Sequence, residues 1–143
     1  TLQGRGIAPL QLQSTTLTLQ RDQPLALKWT PAGQTGLSTL HVKLDISHHG
    51  GTKGMIECDT ADTGALELPA ALVSKLLDLG VAGYPTIILT RKAVGSVTIA
   101  PGRLDLLVAS AVEHAVVVPG VTSCSTNSEC PSGQTCKPDL TCG

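Results

Sequence analysis

Three groups of residues in this 143-residue chain have the types and spacing to do chemistry. The first is Asp62-Thr63-Gly64. Such a tripeptide can supply half of a two-carboxylate dyad, in which paired Asp side chains share a proton and activate water. The chain holds one copy, so that chemistry needs a symmetric homodimer. The preceding residues, Asp59-Thr60-Ala61, are not the apolar strand a dyad needs, and no clear apolar-apolar-Gly-Arg stretch follows. A plain turn accounts for the same tripeptide, with Asp62 capping backbone amides and Gly64 at positive φ. The turn is the expected reading.

The second group is His48-His49-Gly50-Gly51 with His41. A His-Gly-Gly oxyanion loop needs a Gly-x-Ser-x-Gly elbow, which the chain lacks. A metal site at His41, His48 and His49 has no carboxylate to complete the set, so turn or surface histidines are expected and no metal or cofactor is assigned. His114 has no motif around it. The acidic residues are too dispersed for a calcium loop, and Gly4-Arg5-Gly6 is too short to cradle a phosphate. Arg91-Lys92 and Lys43 read as solvated strand faces.

The third group is the five cysteines. Cys58 shares a strand face with Ile56 and is expected to be an inert, packed thiol. The odd count leaves it as a free thiol or a link to another chain. Cys124, Cys130, Cys136 and Cys142 recur every six residues in the Ser/Thr/Pro/Gly-rich end CSTNSECPSGQTCKPDLTCG. That segment has too few apolar side chains for a core, so cross-links must hold it. Zinc would require close C-x2-C-type pairs, and every gap here is five residues. Four cysteines in disulfides allow three pairings and imply an oxidising compartment.

The elements that must position these groups read mostly as strands. Leu17 and Leu19, then Leu25, Leu27 and Trp29, then Leu40, Val42, Leu44 and Ile46 alternate with polar or small residues at period two. Turn chemistry closes each run at Arg21-Asp22-Gln23-Pro24, Pro31-Ala32-Gly33 and His49-Gly50-Gly51. Further strands are predicted at 54–59, 65–68, 86–91, 96–100, 103–109 and 113–118. One helix is predicted over 69–79, with Leu72, Val73, Leu76 and Leu79 on one face, Pro69 at its start and Gly80 past its end. Pro119-Gly120 divides a domain over 1–119 from a cysteine-rich module over 120–143.

Composition narrows the classes. A net charge of −1 provides no nucleic-acid footprint, and Trp29 and Tyr84, with no Phe, provide no stacking platform for single strands. An apolar content of 41% is too high for disorder, and no apolar run reaches the roughly 20 residues of a bilayer span. No leader pattern opens at Thr1, so an exported chain is expected to have lost its signal peptide. Asn127 is followed by Ser-Glu and makes no glycosylation sequon.

The stretches PLALKWTP, GMIECDTADTGALELPAALVSKL and TIILTRKAV resemble a family of secreted bacterial β-sandwich proteins frequent in myxobacteria, with matching positions at Cys58, Asp62, Thr63, Gly64, Pro69 and Ala70. The end C-x5-CPSGQTC-x5-C resembles short cysteine-rich modules of the same secretomes. GALELPAALVSKLLDLG is also similar to bacterial members of the retroviral-type aspartic peptidase clan. The first resemblance implies an extracellular address without a known chemistry, and the second a pairing of Cys124 with Cys136 and Cys130 with Cys142.

The expected fold is therefore all-β: an immunoglobulin-like antiparallel β-sandwich with one short helix and a disulfide-stapled tail. The expected function is a non-enzymatic structural, adhesive or assembly module at the bacterial cell surface, joining a protein partner or itself through strand edges. The alternatives are an extracellular ligand- or glycan-binding module and a homodimeric aspartic peptidase using Asp62.

Overall fold

Alternation builds the sheets. The structure, a computed structural model, describes residues 1–14 and 16–143. In β3 (Thr39–Asp45), Leu40, Val42 and Leu44 are fully buried while His41, Lys43 and Asp45 face the other side. The same period places Leu25 and Leu27 of β2 (Leu25–Lys28) in the core. The remaining strands are β1 (Leu17–Thr18), β4 (Met55–Ala61), β5 (Ala65–Leu68), β6 (Thr86–Ile99) and β7 (Gly102–Val117).

Five strands form one sheet in the order β1-β7-β6-β3-β4, in which β1 runs parallel to β7 and the other pairs are antiparallel. Strands β2 and β5 form a separate antiparallel pair. Both sheets feed one core: Leu25, Leu27 and Leu68 from the pair meet Leu40, Leu44, Ile87 and Leu89 from the larger sheet. Trp29, just past β2, is the largest buried side chain.

The helix α1 spans Ala70–Asp78, with extended Pro69 ahead of it and Gly80 at φ 84° behind. Its buried face is Val73, Leu76 and Leu77, whereas Leu72 and Leu79 are exposed. Of the four residues at helical spacing, Val73 and Leu76 pack inward with Leu77, an i, i+3, i+4 set, while Leu72 and Leu79 flank that face.

The larger departure concerns the second half. The four strands expected between 86 and 118 are two, a hairpin of 14 and 16 residues paired from Thr86↔Ala115 to Ile99↔Gly102. Gly95 and the small residues near Ala109 do not break the ladder, because pairing partners lie opposite them at Leu106 and Lys92. Strand β3 accompanies β6 only as far as Lys92. Beyond it, β6 and β7 continue as a two-stranded arm. Gln3 crosses that arm at Gly95, where an added Cβ would sit 2.0 Å from the Gln3 carbonyl oxygen.

The tail is closed by Cys124–Cys136 and Cys130–Cys142, each pair 12 residues apart. Val121 packs against the core, and hydrogen bonds join the tail to the loop around Gly83. The Gly83 N–H donates to the Asp139 carbonyl at 2.7 Å, the Ser123 hydroxyl donates to the Gly83 carbonyl at 2.5 Å, and the Tyr84 and Ser125 hydroxyls are in contact. Gly83 also abuts the 46–50 loop, where a Cβ would fall 2.1 Å from the His48 carbonyl. A Cβ at Gly80 meets nothing within 4 Å. Both glycines hold positive φ, so Gly80→Ala is expected to cost only the left-handed penalty of about 1–2 kcal/mol. Gly83→Ala is expected to cost distinctly more, because its clash moves two loops. Urea unfolding of the two variants side by side checks the order.

Candidate functional site

Strand parity carries Arg91 inward. It lies on β6 in step with Ile87 and Leu89, and its side chain has no exposed surface. This corrects the expectation of a solvated face; the signal was present in the sequence as the run 87, 89, 91, 93 on one strand face. A buried guanidinium needs a counter-charge and partners for its five N–H groups. Asp62, in the turn between β4 and β5 and only 4% exposed, supplies the charge.

The Arg91 Nε donates to Asp62 Oδ2 at 2.6 Å and Nη2 to Oδ1 at 3.1 Å, a bidentate fork. Nη2 also donates to the Thr30 carbonyl, and Nη1 donates to the carbonyls of Ala8 at 2.9 Å and Pro9 at 3.4 Å. The carboxylate receives two further donors, Trp29 Nε1 at 2.8 Å and the Ser38 hydroxyl at 2.6 Å. Among the described residues, no buried side-chain nitrogen or oxygen lacks a partner.

Burial pushes the Asp62 carboxyl up. The donors Arg91, Ser38 and Trp29, with the charge of Arg91, outweigh that and hold it below the ordinary carboxylate range. It stays ionised, ringed by donors and shielded from water. A dyad carboxylate has to share a proton with a second acid, and every hydrogen-bond partner of Asp62 found here is a donor side chain. The tripeptide is a turn with Gly64 at φ 98°, but Asp62 binds side chains rather than the backbone amides expected of it.

The histidines are dispersed. His41 pairs across the sheet with Asp59, Nδ1 to Oδ1 at 3.0 Å. His48 and His49 have ring centres 4.0 Å apart, and His48 Nε2 is 4.0 Å from Glu113 Oε1. His114 lies on β7 opposite Ile87. Among the described residues, the one convergence of three ligand-type atoms within 4.8 Å is Cys124, Cys130 and Cys142, whose sulfurs are bonded in disulfides and offer no thiolate. Cys58 is free and half-buried on the edge strand β4. Burial, reinforced by the Asp59 charge, raises its thiol.

Two surfaces remain that sequence reasoning did not find. One is a groove of about 550 Å³ between the body and the tail, lined by the apolar Leu19, Val81 and Val118 and by the polar Gln20, Arg21 and Thr141, among others. The other is the β6–β7 arm, where Val94, Ile99, Leu104, Leu106 and Leu107 are each 41–58% exposed. Its inner side chains continue the core-facing parity past the end of the core. On the other face Arg103 grips Asp105 through Nε and Nη2, both at 2.7 Å, and Ser96 donates to Asp105 at 2.6 Å. These contacts pull the Asp105 carboxyl down to about 2.

No protein-family model, curated protein or solved structure matches this chain. The site therefore rests on its own geometry.

Two outcomes follow from that geometry. Asp62→Ala is expected to cost about 3–5 kcal/mol, because it leaves the Arg91 charge buried and alone; adding Arg91→Met should recover most of it. Denaturant unfolding of both variants measures this. Because the folded carboxyl is depressed, the pair's contribution is full above the unfolded-state value near 3.8 and declines as pH falls through the lower folded value, so the wild-type advantage over Asp62→Ala should shrink only in strong acid. Alkylation of Cys58 by iodoacetamide at pH 7 is expected to be much slower in the native chain than in the unfolded one, as followed by mass spectrometry.

Proposed function

We infer that this chain is a non-enzymatic, exported assembly or adhesive module that joins partners through the β6–β7 arm. The observation that carries the reading is the arm itself: a two-stranded ribbon presenting exposed apolar side chains, with free backbone edges beyond Lys92. Exposed ribbons of this kind are templates for strand addition, and proteins normally blunt them with charge, Pro or cover. The two sheets over one core support an immunoglobulin-like sandwich as the scaffold that displays it. The two disulfides favour an oxidising location, in keeping with the bacterial cell surface implied by the resemblance to secreted β-sandwich proteins. No helix is long and apolar enough to cross a membrane.

The groove between body and tail favours a second reading, an extracellular ligand-binding module. Its walls set the apolar Leu19, Leu77, Val81, Val118 and Val121 beside Gln20, Arg21 and Thr141, so the ligand would be amphipathic; Trp29 is buried and offers no stacking face to a sugar.

Under the first reading, light scattering from micromolar to millimolar chain should show a mass that rises with concentration, and the paired substitutions Leu104→Ser and Leu106→Ser on the arm should abolish the rise. A constant single-chain mass would refute it. The second reading expects instead that an apolar dye such as ANS binds the native chain and is lost on Val81→Trp, which fills the groove.

A further inference from the structure

The arm has one edge whose length, facing rule and charges select a partner. Strand β7 pairs with β6 from Gly102 to Ala115, and on its other side, among the described residues, it pairs with β1 at Val116 and Val117. Among the described residues, no other backbone hydrogen bond reaches that side between Gly102 and Ala115. The stretch contains no Lys and no Pro, two residues that commonly protect an edge.

We propose that two copies of this chain join through these edges, β7 antiparallel to its twin with the two-fold axis at Val108. This rests on the assembly reading and specifies its partner, the surface and the register. A two-fold axis normal to the sheet keeps each face on its own side. Directly opposed residues point to one face, so the axis must pass through a residue and even numbers must oppose even numbers. The open stretch from 102 to 115 is used most fully with the axis at 108 or 109, and by two residues fewer at 107 or 110.

Charge then separates the four, and an axis at Ser110 leaves Glu113 facing Leu107. An axis at Ala109 sets Asp105 against Glu113, a like-charge cross-strand pair, twice. An axis at Leu107 sets Arg103 against Ala111 and leaves Glu113 facing Pro101. An axis at Val108 sets Arg103 against Glu113 twice, Leu104 against Val112 and Leu107 against Ala109, so opposite charges meet and apolar side chains meet. The groups that must pair are accessible. The side chain of Arg103 is 64% exposed, with Nη1 free of any partner among the described residues, and Glu113 is 59% exposed with only His48 near it, at 4.0 Å. In this register the partner strand ends where β1 begins, and the two five-stranded sheets become one of ten strands.

The register is tested by charge exchange and by cross-linking. Light scattering of the wild type should give twice the chain mass. Glu113→Arg, an exposed substitution, should weaken the dimer at least tenfold, and Arg103→Glu in the same chain should restore it. In a Cys58→Ser background, Val108→Cys should oxidise to a linked dimer faster than Leu107→Cys or Ala109→Cys. A dimer indifferent to Glu113→Arg, or one that links first at 107 or 109, overturns the proposal and leaves assembly through another surface standing. A single-chain mass at every concentration overturns both.

Discussion

Burying the Arg91 guanidinium costs several kcal/mol unless charge and hydrogen bonds replace the water it loses, and most of the molecule's loop arrangement follows from meeting that requirement. The counter-charge comes from the β4–β5 turn at Asp62, and the remaining donors are taken by Thr30 after β2 and by Ala8 and Pro9 in the N-terminal segment. Ser38 and Trp29 complete the acceptor side. Segments separated by up to 83 residues are thereby held to one point. Gly64 belongs to the same arrangement: its carbonyl accepts from the Trp29 N–H at 2.9 Å, and a side chain there would crowd the Trp29 carbonyl and Pro31. In three dimensions Asp62 ties β6, through Arg91, to the turn between β4 and β5 and, through Trp29, to the end of β2.

The core ends near Ala93, yet the apolar parity of β6 and β7 does not, so the hairpin presents outward a face of the type the core uses inward. Its two charges sit on the opposite face and satisfy each other. The tail contributes elsewhere. It caps the loop around Gly83 and forms one wall of the groove beneath Val118 and Val121.

Much of the body was legible because burial on one face writes itself as alternation. Leu40, Val42 and Leu44 announce β3, and Pro69 with Gly80 brackets α1 to within one or two residues. Three features were not legible, each for a physical reason. Arg91 follows the same parity as Ile87 and Leu89, but a charged residue is read as solvated unless its counter-ion is known, and Asp62 is 29 residues away. The length of the hairpin was hidden because turn-like residues such as Gly95 and Ser96 are tolerated where a ladder partner lies opposite; Gly95 is needed for the close approach of Gln3 rather than for a bend. The inner face of α1 was hidden because Leu72, Val73, Leu76, Leu77 and Leu79 are all apolar, so spacing alone does not choose between neighbouring faces.

The crossing of Gln3 over Gly95 has a mechanical consequence. Two clamps hold the base of the hairpin: the β3 ladder, which ends at Lys92, and the N-terminal segment, which Arg91 anchors at Ala8 and Pro9. The ribbon past Gly95 projects beyond both, held among the described residues by the pairing of β6 with β7. A pull on it would run back along β6 to Arg91, so the strand that carries the buried charge also carries the ribbon.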